Sequence, residues 1–164
     1  MLRATLVLAS TLAMLPGAAS AKTFKLGADP KVATVTLPDA WDGDEADGQL
    51  EALSPDKTIY LSATAVDAAD VKAAGQEVSK VLAENKIELK GDSRKVAALT
   101  VAGMSGAAIS WDAKDADGPT QVHLVTLKTP SGGALVVLRW GDADAEKDHA
   151  AEIDAIVKSV AAAK

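Results

Sequence analysis

Between Val96 and Trp140 the chain alternates short apolar runs with turn-forming clusters. The runs Val96 to Val101, Ala107 to Ala113, Gln121 to Thr129 and Ala134 to Trp140 read as four strands. Gly103 and Gly106, the segment Asp115-Ala116-Asp117-Gly118-Pro119 and Pro130-Ser131-Gly132-Gly133 supply the turns, which makes antiparallel hairpins the natural reading. Upstream, Val32 to Leu37 alternates and stops at Pro38, as a strand ending in a turn does. Leu50 to Ser54 is a short second strand and Thr58 to Val66 a third. In the third, Ile59, Leu61, Ala63 and Ala65 share one face, and Tyr60, Ser62 and Thr64 share the other. Lys22 to Pro30 reads as a flexible leading segment, and Asp42 to Gly48 as an acidic loop.

Two stretches carry helical periodicity. Asp67-Ala68-Ala69-Asp70 supplies a cap and first-turn acid, and Val71, Ala74, Gly75, Val78, Val81 and Leu82 then form one apolar stripe. The second helix runs from about Asp144 to Ala163, with acids crowding its start, Lys158 and Lys164 towards its end, and Ile153, Ile156, Val157 and Val160 as its buried stripe. Leu135-Val136-Val137-Leu138 is apolar at successive positions, so this strand is covered on both faces. With two helices available, the predicted fold is α+β: a mainly antiparallel sheet with one helix on each face, an α/β/α sandwich in the order β-β-β-α-β-β-β-β-α.

This arrangement, together with Leu37-Pro38-Asp39-Ala40-Trp41 after the first strand, the turns at Val101-Ala102-Gly103 and Ser131-Gly132-Gly133, and a closing helix with Ile153, Ile156, Val157, Ser159 and Val160, resembles the PsbP-like superfamily. That superfamily also includes the DcrB-like bacterial envelope proteins and a Ran-GTPase-binding nuclear import factor. The resemblance spans nearly all of the chain after its leader and implies a binding or assembly factor rather than an enzyme. It brings no catalytic motif to these positions.

The leader itself is Met1-Leu2-Arg3, an apolar run from Ala4 to Leu15, the break Pro16-Gly17, and Ala18-Ala19-Ser20-Ala21. This is the pattern of a secretory signal peptide, with cleavage expected between Ala21 and Lys22. The apolar run is shorter than the roughly 20 residues needed to cross a bilayer, so a membrane anchor is not expected. Cleavage would leave 22–164 as a single domain, exported to the periplasm or secreted. The absence of cysteine excludes disulfides, thiolate metal sites and cysteine nucleophiles, which suits a periplasmic protein held together by its core.

Charge narrows the partners. The chain carries 17 basic and 23 acidic residues, a net charge of −6 that opposes binding to nucleic acid or to anionic lipid. Aromatic residues make up 3%, too few for a carbohydrate-binding face of stacked rings. Export, the lack of an assembled catalytic set and the resemblance together imply that the partner is another envelope protein, bound through the sheet-end loops or a helix face.

Candidate chemistry is sparse. Gly103-Met104-Ser105-Gly106-Ala107 lies one residue from the Gly-x-Ser-x-Gly nucleophile elbow, with Asp115, Asp117, His123 and His149 downstream. The elbow needs a helix after the serine, whereas the residues that follow alternate like a strand, so a hairpin turn is expected in place of a hydrolase site. The acidic stretches around Asp42, Asp44 and Asp47, and around Asp112, Asp115 and Asp117, lack the ordered oxygen ligands and bidentate acid of a calcium loop. His123 and His149, without cysteine, make no zinc set, and no cofactor or metal is expected. Trp111 and Trp140 read as strand packing residues. Trp41, where strand gives way to loop, reads as a packing residue too, but of the three rings it is the one most open to partial exposure, and with Asp44 and Asp47 it outlines the candidate small-ligand or divalent-metal site. Arg139 interrupts the most apolar strand and either reaches water at a strand end or pairs with an internal carboxylate.

Overall fold

The computed structural model describes residues 20–28 and 32–163. All of the predicted leader except Ser20 and Ala21 lies outside this range. The elements run β1 (Ala21–Leu26), β2 (Ala33–Pro38), β3 (Asp42–Ala46), β4 (Gln49–Leu53), β5 (Ile59–Val66), α1 (Val71–Glu84), β6 (Glu88–Leu89), β7 (Lys95–Val101), β8 (Met104–Lys114), β9 (Pro119–Lys128), β10 (Ala134–Gly141), α2 (Ala143–Asp148), α3 (Ala150–Ser159) and β11 (Ala161–Ala162). A short 3₁₀ turn at Gly91–Ser93 separates β6 from β7.

The large sheet has the order β3-β4-β5-β10-β9-β8-β6, and β7 pairs with β8 beside β6. A small sheet, β1-β2-β11, packs over one side of it, and the strand pairings are antiparallel in both. The expected α+β sandwich is the observed one. Leu135 and Val137 of β10 turn to a core shared with the small sheet and with Ile153, Ile156 and Val160. Ala134, Val136 and Leu138 turn the opposite way, against Ala74 and Leu82 of α1. Five successive buried residues in β10 therefore reflect helices on both faces. The two faces of β5 divide as its alternation predicts: Ile59, Leu61, Ala63 and Ala65 are buried, and the intervening residues are half-buried.

Several expectations need correction. Lys22 to Pro30 reads as flexible in sequence, yet 21–26 forms β1, because Phe24 and Leu26 bury themselves opposite Val35 and Ala33. The acidic loop is a hairpin: 42–46 forms β3 on β4, with Asp47 and Gly48 as its turn at φ 53° and 77°. An edge strand tolerates charge because its outward residues stay in water, and so period-2 burial is absent from its sequence. A side chain on Gly48 would overlap the carbonyl of Gly27, whose N–H donates to the Gly48 carbonyl at 2.9 Å.

The first hairpin of the meander turns at Ala102-Gly103, both at positive φ, so Ser105 and Gly106 lie within β8 and not in the turn. Gly106 is required because a Cβ there would overlap the backbone carbonyl of Thr126 in β9. The last helix is broken. His149 ends α2 and begins α3, and α3 stops at Ser159 so that 161–162 can join the small sheet. Asp142 caps α2, accepting from the amides of Asp144 and Ala145. Asp70 precedes α1 without a side-chain cap bond, and that helix has no acid in its first turn.

Candidate functional site

Trp41 is buried at 4% exposure and belongs to the core that receives α3. Its indole Nε1 donates to Glu152 Oε2 at 2.8 Å. The same oxygen lies 2.9 Å from His149 Nδ1, and His149 Nε2 lies 3.1 Å from Asp56 Oδ1. Asp56 in turn accepts from the hydroxyls of Ser54 at 2.6 Å and Thr58 at 2.8 Å. Buried Ser54 also accepts from the amides of Thr58 and Ile59, which ties the β4–β5 turn together.

With a carboxylate on each ring nitrogen, His149 satisfies both contacts only as the imidazolium, which donates twice. The bonds to Glu152 and then Asp56 raise its pKa above the ordinary 6.5. Glu152 is held below the usual carboxylate range by the indole and then by His149. Asp56 is held well below it by Ser54, His149 and Thr58. The cluster clamps the α2–α3 break to the β4–β5 turn. It does not activate a nucleophile, because Ser54 bonds to the acid and not to the histidine.

The sign of its pH dependence follows. The His149 contribution is fully present below pH 6.5 and is lost as pH rises through the higher folded value; the two carboxylates contribute above their ordinary values and lose it in acid. Urea midpoints measured from pH 6 to pH 9 are expected to fall for the wild type and to stay level for His149→Gln. Parallel curves for the two proteins would remove the clamp.

Arg139 makes the second polar cluster. Its Nε and Nη2 donate to the two oxygens of Glu146 in α2 at 2.9 and 2.8 Å, with the pair only 13% and 12% exposed. Arg139 thus meets the internal carboxylate and does not reach for water. His123, opposite Arg139 in β9, places Nε2 3.7 Å from Glu146 with no hydrogen-bond partner. Burial, and then the Arg139 charge, lower its pKa below 6.5.

The remaining sequence candidates separate. Asp44 pairs with Glu51 across β3–β4, so it points to the α1 face, whereas Trp41 lies in the core on the opposite face. Asp47 is exposed at the hairpin tip. Ser105 is exposed in β8, and its position in the strand turns it to the sheet face opposite that of His123. Asp115 accepts from the amides of Asp117 and Gly118, closing the β8–β9 turn. Among the described residues, no group of three or more His, Asp or Glu stands close enough to hold a metal ion.

Two surface features were not read from the sequence. The first is a groove of about 380 Å³ between α1 and β4–β5. The second is the strand β7, which pairs with β8 alone among the described residues. From Val96 to Val101 it carries no charge, and Val96 is 54% exposed. The uncharged run was visible in the sequence, but its place at a sheet edge was not.

No family profile matches the sequence, and no curated protein matches it. Solved structures share its fold. The cyanobacterial PsbP (CyanoP) of Synechocystis superposes with a TM-score of 0.55 at 14% identity, over 95% of this chain and 99% of its own. LpqN, involved in cell envelope biogenesis of Mycobacterium tuberculosis, gives 0.53 at 17% identity, over 88% and 92%. A protein from Bacteroides thetaiotaomicron gives 0.53 at 15% identity over 80% of this chain, which spans 45% of that one. The chain has a PsbP-like fold. Among the described residues no helix is long and apolar enough to cross a membrane.

Proposed function

We propose that the protein is an exported, non-enzymatic envelope protein that binds another protein by adding a strand of the partner to β7. The observation that carries this reading is the free edge itself. Edge strands are ordinarily blunted by inward charges, proline or bulges, because unpaired N–H and C=O groups recruit other chains. The run Val96-Ala97-Ala98-Leu99-Thr100-Val101 has no charge and no proline, with Arg94 and Lys95 only at its start. Strand addition draws affinity from the main chain and specificity from alternate side chains. Export rests on the leader pattern. The envelope setting agrees with what is said of LpqN, and the periplasm with the absence of cysteine.

The test is affinity capture from periplasmic extract with the tagged full chain, mild crosslinking and mass spectrometry. The double variant Val96→Lys/Ala98→Lys is run in parallel. One near-stoichiometric partner crosslinked at 95–101, and lost in the variant while its thermal unfolding stays cooperative, is the expected result. A partner that survives the two lysines would place docking elsewhere.

A further inference from the structure

The face of the sheet that carries α1 is covered unevenly. The apolar stripe of α1 packs over β10, β9 and β8, through Ala74 and Leu82 on Ala134, Val136, Leu138 and Val122. Beside it, towards β5 and β4, lies the groove of about 380 Å³, within the size range of small-molecule sites. Its floor and inner wall are apolar, formed by Val66, Val78, Val81, Val136 and Leu138. Tyr60, Ser62 and Thr64 add hydroxyls from the half-buried face of β5. Tyr60 stacks on Trp140 with centroids 4.0 Å apart, which fixes an aromatic wall. Its pKa is pushed up to about 12 by burial and then by the charge of Glu51, as expected of a poorly hydrated pocket end.

The charge around this apolar space has one sign. Glu51, Asp70 and Glu77 line the groove, and among the described residues no lysine or arginine does. Glu77 is bonded at 3.1 Å to Lys80, one turn along the outside of the helix. Among the described residues Glu51 has no basic partner: the Tyr60 hydroxyl donates to its carboxylate, and directly across the ladder it faces Asp44, another carboxylate. Like charges directly opposed on a strand pair are destabilising. An acidic pair with no basic partner among the described residues thus stands beside an apolar slot with an aromatic end.

We propose that this groove binds an amphipathic cation: a small molecule whose apolar chain lies against Val66, Val78, Val81 and Leu138 while a single ammonium or guanidinium group meets Glu51. Burial of the apolar part supplies the affinity, and the head group relieves the repulsion between Glu51 and Asp44. The aromatic wall of Tyr60 gives the cation a second favourable contact. The site is independent of strand addition at β7, and its test leaves that reading untouched.

The probes are octylammonium and octanoate, which share a chain length and differ in the sign of the head group. Each is titrated into the full chain by calorimetry, with the fluorescence of the tryptophans followed in parallel, since Trp140 stacks on the wall. Octylammonium is expected to bind and octanoate not to. Glu51→Gln is expected to weaken octylammonium about threefold, the effect of losing one solvent-exposed ion pair. The same substitution should raise the melting temperature of the free protein, because the repulsion disappears. A purely structural glutamate would give no such opposition between binding and stability. Ala73→Trp, at an exposed position of α1 that lines the groove, should abolish binding while the protein stays folded. Equal binding of the two probes, no binding of octylammonium, or binding that survives Ala73→Trp would each overturn the proposal.

Discussion

Trp41→Ala is expected to lower the unfolding free energy by about 3–5 kcal/mol, the range for emptying a large aromatic site in a packed core. Trp41 sits among Phe24, Leu37, Ile153 and Ile156, where the small sheet, the main sheet and α3 meet. Trp41→Phe separates packing from hydrogen bonding. It keeps most of the volume but removes the donor to Glu152, a loss of about 1 kcal/mol because Glu152 is 39% exposed and water can replace the indole. Urea unfolding monitored by far-UV circular dichroism measures both. If alanine and phenylalanine gave the same midpoint, the ring would not be the packing centre described above.

Arg139→Met is expected to destabilise by about 3 kcal/mol, since it strands the Glu146 carboxylate at 12% exposure. The methionine matches the apolar stem of arginine, so the loss measures the uncompensated charge rather than a cavity. The neighbour offers a specific signature. His123 Nε2 already lies 3.7 Å from Glu146 and is kept neutral by burial and by the charge of Arg139. Without Arg139 its pKa should rise, and the imidazolium should take over the carboxylate. A group whose folded pKa is raised stabilises below its unfolded value and loses that contribution as pH rises through the folded one. The deficit of Arg139→Met should therefore be smaller at pH 5 than at pH 8, and imidazole proton shifts of His123 should titrate higher than in the wild type. The double variant Arg139→Met/Glu146→Met should regain most of the stability, because an apolar pair carries no desolvation debt. A double variant as weak as the single one would mean that packing, not charge, dominates at this position.

Both residues were marked by the sequence, but for different reasons. Arg139 stood out because it interrupts an apolar strand, and that anomaly led to a buried pair. Glu146 was hidden among the acids at the start of the final helix, where the helix dipole alone accounts for a carboxylate. Trp41 lies between β2 and β3 and not at the edge of a loop, and its closeness in sequence to Asp44 and Asp47 does not make the three one site. The turn of the chain into β3 sends Asp44 to the other face of the sheet. The His149–Glu152 contact is an i,i+3 helical pair and was legible as such. Its third member, Asp56, lies 93 residues away and reaches His149 only through the fold.

The succession of the main strands along the chain, the two-faced burial of β10, the division of β5 into apolar and polar faces and the apolar stripe of α1 followed from the sequence alone. They depend on local periodicity, which each residue expresses through its immediate neighbours. The edge strands β1 and β3 and the short β6 and β11 did not follow, because they are held by pairing with distant segments and carry little burial pattern of their own. The same holds for function. The uncharged run of β7 and the acids at positions 44, 51, 70 and 77 are written in the sequence. Only the tertiary structure decided that the run lies on an open sheet edge, and that Glu51, Asp70 and Glu77 line one apolar groove with Asp44 across the ladder from Glu51. Register and layer placement set which distant residues share a surface, and both are fixed by the packing of the whole core.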